Sequence, residues 1–275
     1  MSEMCEVLGV DESWYYRRKK REKADKKGHL LLKIKEIREE HRENKNYGAE
    51  RIRIRLEQKG EKVSYGRVYR VMKEAGMLKK RRRAIGITKA DREAEKSENL
   101  IGMDFRAERV NEKWIGDITQ VQCYDGKLYV MAIMDCRNGE IVGLEIAENM
   151  KKEMCIRAFE GAVERRGARR MIMHTDRGSQ FTSASFRESL KKAGARQSMS
   201  GAGNCYENAR MESFFATVKK EKVYEMKAHQ KRKEEVKSEI FRYIYGYYNR
   251  IRINTANPGG LAPTAYRERE QKEAA

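Results

Sequence analysis

Residues 169–181 read RRMIMHTDRGSQF, and residues 203–215 read GNCYENARMESFF. The apolar run at 171–173 predicts a buried strand, so Asp176 lies just beyond the carboxyl end of that strand. In open α/β sheets, ligands bind at that edge. In the second stretch, apolar residues recur with helical spacing at positions 211, 214, 215 and 218. We therefore predict an amphipathic helix that carries Glu212 at the margin of its buried stripe.

A third carboxylate, Asp117, lies inside the predicted strand WIGDIT at residues 114–119. Three carboxylates from two strands and a helix suit hard divalent cations such as Mg²⁺, which take oxygen ligands. Two such ions about 3.5–4 Å apart can stabilise both the attacking and the leaving oxygen of an in-line phosphoryl displacement. Taken singly, each acid could equally be solvated or cap a helix. The inference therefore depends on the three acids together.

Four segments in order give the chain a family resemblance. They are WIGDIT at 114–119, HTDRGSQ at 174–180, GNCYEN at 203–208 running into MESFF at 211–215, and YNR at 248–250 with GGLAP at 259–263. Between Asp176 and Glu212 lie 35 residues. The chain resembles transposases of the insertion-sequence group numbered three, specifically those of the second reading frame, and more broadly the retroviral integrase superfamily. The resemblance covers nearly the whole chain.

The resemblance implies an α/β fold: a ribonuclease H-like mixed sheet with flanking helices, preceded by a small helix-turn-helix-like domain. It implies that Asp117, Asp176 and Glu212 form an Asp-Asp-Glu triad that binds two Mg²⁺ ions, for which Mn²⁺ can substitute. Such an enzyme cuts transposon ends and joins them to target DNA. The implied partners are DNA, further copies of the chain on that DNA, and the product of an upstream reading frame.

The chain departs from the family pattern at two positions. Arg210 stands where the family often has proline, and Glu207 stands where aspartate is usual. Neither change removes a proposed metal ligand. They leave open the alternative of an inactive relic that binds element ends as a regulator. A nuclease or resolvase with the same core is disfavoured by the upstream helical region.

The charge of the chain favours a polyanionic partner. Its formal net charge is +19 over 275 residues. A basic membrane-surface protein is the competing class, but no apolar run approaches the length of a transmembrane helix and the start lacks the features of a signal peptide. The five cysteines form no Cys-x-x-Cys pair, which argues against a disulfide framework or a thiolate zinc site. We predict a cytoplasmic bacterial protein associated with the nucleoid.

Residues 1–78 predict a small helical, helix-turn-helix-like DNA-binding region. Ser64 and Gly76 bound a helix with an inward stripe at positions 68, 71, 72 and 75. The other face carries Arg67, Arg70 and Lys73, whose long side chains can reach phosphate oxygens or guanine edges. Residues 1–90 contain 27 lysines and arginines against 14 acidic residues. The alternative is the ordinary charged face of a helical bundle.

Residues 79–107 predict a basic linker, and residues 108–275 predict the catalytic core with a carboxyl-terminal helical extension. The linker opens with a cationic run that can neutralise phosphates or serve as a solvated tether. That run consists of Lys79, Lys80, Arg81, Arg82 and Arg83.

In the core, we predict strands at 114–122, 128–135, 141–146 and 197–199, and helices at 152–166, 184–193 and 221–246. Arg177 and Lys219 are the DNA-contact candidates near the triad. For Arg177 the alternative is to orient Asp176, and for Lys219 it is a plain surface lysine. Asn208 is expected either to cap the Glu212 helix or to bond a nearby carboxylate.

Overall fold

The computed structural model describes residues 11–79, 99–102, 104–200 and 208–273, together with Cys5, Val7 and Gly9. The chain divides into two units, Met1–Arg81 and Arg82–Ala275. The predicted domain limits at residues 78 and 107 stay predictions, because most of the residues between them lie outside the described ranges. No helix in the described ranges is long and apolar enough to cross a membrane.

In the first unit, the described residues 11–79 form three helices and a short 3₁₀ turn. The helices are α1 (Glu12–Glu39), α2 (Ala49–Gln58) and α3 (Tyr65–Glu74), and the turn is Arg42–Asn46. Helix α1 begins where Asp11 accepts a hydrogen bond of 2.7 Å from the Ser13 amide, as expected of an N-cap. The charged stretch at 17–27 is therefore helical and continuous with the apolar residues that follow it.

The inward stripe of α3 is shorter than the sequence predicts. Val68, Val71 and Met72 are buried, but Ala75 is exposed beyond the last helical turn. Buried apolar residues from all three helices meet in the core of this unit. They include Leu30, Ile34, Ile37, Ile52, Leu56 and Val68.

The second unit is built on a five-stranded mixed sheet. Its strands are β1 (Lys113–Cys123), β2 (Gly126–Asp135), β3 (Ile141–Ala147), β4 (Ile172–Thr175) and β5 (Arg196–Met199). Their order across the sheet is β3-β2-β1-β4-β5. Strands β1, β2 and β3 pair antiparallel, while β4 pairs parallel with both β1 and β5. This arrangement confirms the predicted mixed sheet.

Helices flank the sheet. They are α4 (Lys152–Arg166), α5 (Ser179–Thr182), α6 (Ala184–Lys192), α7 (Ala209–Val218), α8 (Lys233–Phe241) and α9 (Pro263–Glu273). The prediction of one helix over 221–246 is wrong. A π-helical turn at Lys219–Val223 and a 3₁₀ turn at Ala228–Gln230 precede α8, and a second π-helical turn at Arg242–Tyr248 follows it. Lys227 has a left-handed backbone with φ of 52°, which a continuous right-handed helix cannot contain.

One face of the sheet packs against α4 and α6, and the opposite face carries Asp117. On one face, the ring of Phe159 in α4 lies 6.2 Å from Trp114 of β1 and 6.0 Å from Phe186 of α6. Side chains alternate across a strand, so Asp117 projects from the opposite face. Helix α7 packs against β1 through its buried stripe. That stripe consists of Met211, Phe214, Phe215 and Val218, as predicted.

Candidate active site

Asp117 lies in the middle of β1, opposite Ala132 of β2. Its Oδ1 accepts a hydrogen bond of 2.7 Å from the Ile118 amide. Burial, together with the negative charges of Asp176 and Glu212, raises the pKa of Asp117 to about 7. The fold therefore brings Asp176 and Glu212, which are far from Asp117 in sequence, within electrostatic range of Asp117.

Asp176 immediately follows β4, at the carboxyl edge of the sheet. Its Oδ1 accepts a hydrogen bond of 3.0 Å from the Gly178 amide in the turn before α5. Burial raises the pKa of Asp176 above its ordinary value. The Nε of Arg177 donates a hydrogen bond to the Ser200 carbonyl oxygen at 2.7 Å, not to Asp176. Arg177 thus fixes the backbone just after β5.

Glu212 lies in the first turn of α7 and is exposed, although Met211 beside it is fully buried. Lys219 directly follows the same helix and is half-buried. Burial lowers the pKa of Lys219, and the charge of Asp117 acts in the opposite direction. Lys219 therefore lies within electrostatic range of Asp117. Its predicted role in DNA binding stays a prediction.

Asn208 occupies the N-cap position of α7 but makes no capping hydrogen bond. Its side chain instead acts on the carboxylate of Asp117 and lowers the pKa of that group. Of the two alternatives drawn from the sequence, the structure favours the second. Its Oδ1 is buried and has no hydrogen-bond partner among the described residues.

The chemistry of this donor set fits a divalent cation. Within the described ranges, no group of three or more His, Cys, Asp or Glu side chains forms a ready metal site. The carboxylates of Asp117, Asp176 and Glu212 nevertheless supply only oxygen ligands, which Mg²⁺ prefers. A bound cation would offset the like charges that raise the pKa of Asp117. The unpartnered Asn208 Oδ1 adds a further oxygen beside Asp117.

Comparisons with known proteins match both units. Two models of the integrase core domain match residues 107–205 and 212–270, and a model of an HTH-like domain matches residues 25–84. The chain is 34% identical to the insertion element IS600 uncharacterized 31 kDa protein of Shigella sonnei, across 99% of this chain and 100% of that protein. It is 33% identical to the transposase InsF for insertion sequence IS3A of Escherichia coli, across 82% of this chain and 78% of that protein. The chain belongs to the insertion-sequence transposase family.

Membership of this transposase family confirms the resemblance drawn from the four motifs and the helix-turn-helix-like character of the first unit. The similarities give no support to an inactive relic. A solved structure of the HTLV-2 integrase catalytic core domain in complex with magnesium is also similar, with 18% identity and a TM-score of 0.45 over 58% of this chain and 97% of that chain.

Arg210 helps to hold α7 in place. In the sequence, this residue stands out only because the family often has proline there. Arg210 Nη1 donates to the carbonyl oxygens of Cys136, at 2.6 Å, and Phe105, at 3.0 Å. It thereby links the first turn of α7 to the end of β2. Asp135, the last residue of β2, accepts hydrogen bonds from the backbone amides of Asn111 and Arg137, which is the role of a turn residue.

A buried ion pair, also missed from the sequence, anchors the turn that follows α7. Arg252 donates twice to Glu221, from Nε at 2.9 Å and from Nη2 at 2.7 Å, and the Tyr243 hydroxyl donates to Glu221 at 2.7 Å. Both charged side chains are 7% exposed. Because Glu221 lies in the same π-helical turn as Lys219, this network fixes the backbone that carries that lysine.

The YNR motif of the transposase also has a structural role. The Asn249 side chain accepts the Ile141 amide and donates to the Ile141 carbonyl oxygen, both at 2.9 Å. It thus pairs with the first residue of β3 as a neighbouring strand would. The YNR motif could be identified from the sequence, but nothing in the motif indicated that Asn249 would pair with Ile141.

In the first unit, the cations predicted on α3 are exposed. They are Arg67, Arg70 and Lys73. Arg67 Nη2 donates to the Lys26 carbonyl oxygen at 3.4 Å, and Lys79 Nζ donates to Asn46 Oδ1 at 2.6 Å. The remaining cations of the linker run, Lys80 to Arg83, lie outside the described residues.

Proposed function

We propose that this protein is a DNA transposase that cuts the ends of its element and joins them to target DNA. Asp117, Asp176 and Glu212 are the catalytic carboxylates in this proposal. The observation that supports it most is the effect of Asp176 and Glu212 on the pKa of Asp117. This effect means that carboxylates from two strands and a helix lie near one another in the fold. Relatives named as transposases agree with this reaction.

The three carboxylates would hold two Mg²⁺ ions, with Mn²⁺ able to replace them. When bound, these ions supply Lewis-acid activation of water or a DNA 3′-hydroxyl and stabilisation of the leaving oxygen. The chain's own groups do the rest. Asn208 holds the Asp117 carboxylate, the buried stripe of α7 fixes the backbone at Glu212, and Lys219 places a cation near the scissile phosphate. No covalent protein intermediate is needed.

DNA is the partner in both units of this proposal. The exposed cations of α3 and those of the linker run contact phosphates, and Arg177 and Lys219 contribute near the carboxylates. The layout is a DNA-binding region at 1–78, a basic linker at 79–107 and a catalytic core at 108–275. The protein acts as a homo-oligomer on DNA, together with the upstream-frame product, in the bacterial cytoplasm at the nucleoid.

The test is a strand-cleavage and joining assay on labelled element ends with Mg²⁺ or Mn²⁺, with the upstream-frame product supplied. Glu212→Gln should abolish the metal-dependent products. The matched control is Glu234→Gln, which neutralises an exposed acid in the first turn of α8 and should retain activity. Products that survive Glu212→Gln would overturn the triad. An intact protein that binds DNA and forms no product would instead indicate the regulator.

A further inference from the structure

Helix α3 carries a glycine, Gly66, on its exposed side. A Cβ placed on Gly66 would meet no atom within 4 Å among the described residues, and Gly66 is not in the left-handed region. A glycine in a helix lowers stability relative to alanine, because it loses more backbone freedom on folding. Neither the packing nor the backbone of this unit therefore explains a glycine at this position.

The residues around Gly66 form the α3 outer surface, which we define as Tyr65, Gly66, Tyr69, Arg70 and Lys73. Helical residues four apart are neighbours, so Tyr65, Tyr69 and Lys73 form one row, and Gly66 and Arg70 form the row beside it. The tyrosines are 49% and 39% exposed, and their rings stack with centroids 5.9 Å apart. The exposed backbone at Gly66 therefore lies beside the exposed rings of Tyr65 and Tyr69.

Arg70 is held next to the glycine. Its Nε donates to the Gly66 carbonyl oxygen at 3.3 Å, which keeps the guanidinium on the same side of the helix. Lys73 is exposed one turn further along. The acid of α3, Glu74, continues the row of Gly66 and Arg70 and pairs with Lys27. The charges left unpaired by acids on this surface are those of Arg70 and Lys73, which favour a polyanion over a protein as the partner. Glycine is suited to positions where another backbone must approach closely.

We propose that duplex DNA lies against the α3 outer surface, with its sugar-phosphate backbone closest to the helix at Gly66. Tyr65 and Tyr69 pack beside the contact with their hydroxyls toward phosphates, and Arg70 and Lys73 bind neighbouring phosphates. This inference rests on the proposed function, because it specifies how the first unit holds the DNA on which the transposase acts. A methyl group at Gly66 would push the duplex away without disturbing the fold.

The experiment uses the full chain and a labelled duplex from an end of the element. Gly66→Ala should fold with a Tm equal to or above that of the natural chain, yet bind the duplex about tenfold more weakly. The matched control is Gly28→Ala, since Gly28 is an exposed glycine of α1 with nothing within 4 Å of a placed Cβ. It should have the same effect on Tm and none on DNA affinity.

A second variant separates this inference from the proposed function. Arg70→Ala with Lys73→Ala should weaken binding and flatten the slope of log affinity against log salt by about 0.9 for each lost phosphate contact. Gly66→Ala should leave that slope unchanged. If Gly66→Ala binds normally while the double variant binds weakly, the inference is overturned and DNA binding by α3 stands. If neither variant alters binding, α3 does not contact DNA at all.

Two further outcomes would also overturn the inference. A lower Tm for Gly66→Ala would show that the glycine serves the fold. A change in sedimentation, with DNA affinity intact, would assign the α3 outer surface to a protein partner or a second copy of the chain.

Discussion

The side chain of Asn208, at the start of α7, acts on the carboxylate of Asp117 in the middle of β1 and lowers its pKa. Glu212 lies one turn further along the same helix. This interaction links the two elements that carry two of the three proposed catalytic carboxylates. Asn208 makes no capping hydrogen bond, although it stands at the N-cap position.

Replacing Asn208 should weaken metal binding without unfolding the protein. In Asn208→Ala, Asp117 loses a donor that favours its charged form, and we expect the affinity for Mn²⁺ to fall at least about tenfold. Isothermal titration of the intact protein with Mn²⁺ measures this. Ser213→Ala, on the exposed side of α7, is the control and should bind Mn²⁺ normally. Equal affinities in both variants would rule out an orienting role for Asn208.

Asp117→Asn should make the metal-free protein more stable while abolishing catalysis. A carboxyl whose pKa is raised to about 7 in the folded state, from an ordinary 3.8, costs stability at every pH above about 3.8. Removing the charge should therefore raise the free energy of unfolding at pH 7, by roughly 1–3 kcal/mol. Chemical denaturation in chelator gives this value.

The response of Tm to Mg²⁺ gives a second test of Asp117→Asn. Adding Mg²⁺ should raise the Tm of the natural chain, because a ligand that binds only the folded state stabilises it. Asp117→Asn should show a much smaller rise. A variant that is less stable in chelator, or that responds fully to Mg²⁺, would contradict the picture of repelling carboxylates.

The pair of Glu221 and Arg252 should dominate the stability of the carboxyl-terminal part. Glu221→Ala leaves the buried Arg252 guanidinium without its partner, and such a loss costs about 3–5 kcal/mol. Denaturant unfolding followed by circular dichroism measures it. Glu273→Ala breaks the exposed pair with Arg269 and should cost less than about 1 kcal/mol. Similar losses in both variants would mean that burial of the first pair has little effect.

Helix α4 packs against β3 at Gly143, where backbone meets backbone. A Cβ at Gly143 would lie 2.6 Å from the Ala158 carbonyl oxygen, so Gly143→Ala must displace the helix. We expect a loss of about 1–3 kcal/mol in the free energy of unfolding. Gly161→Ala, in the same helix, meets only the Arg165 side chain at 3.7 Å and should be neutral or stabilising. Melting curves of the two variants provide the comparison, and equal Tm values would contradict it.

Local sequence patterns predicted the strands and the α7 stripe because those patterns are short-range. The apolar run before Asp176 and the spacing of Met211, Phe214 and Val218 each depend on residues a few positions apart. The grouping of the three acids came from their places on two predicted strands and a helix, and family resemblance then matched them to a triad, since nothing local connects Asp117 to Glu212. The structure adds the effect of Asp176 and Glu212 on the pKa of Asp117.

The contacts that sequence reasoning missed are long-range. Glu221 finds Arg252 across 31 positions, and Arg210 finds Cys136 across 74. From the sequence alone, Glu221, Arg252 and Arg210 cannot be told from ordinary charged surface residues. The predicted helix over 221–246 failed for a related reason, because the charged stretch around Lys227 has helical composition but a left-handed turn.

The hydrogen bonds between Asn249 and Ile141 span 108 positions of the chain. During synthesis, β1, β2 and β3 leave the ribosome long before Asn249 exists to complete the start of β3. The nascent hairpins must therefore wait, incomplete, until nearly the whole polypeptide has been translated. A chain that ends before residue 249 would lack the two hydrogen bonds that complete the start of β3.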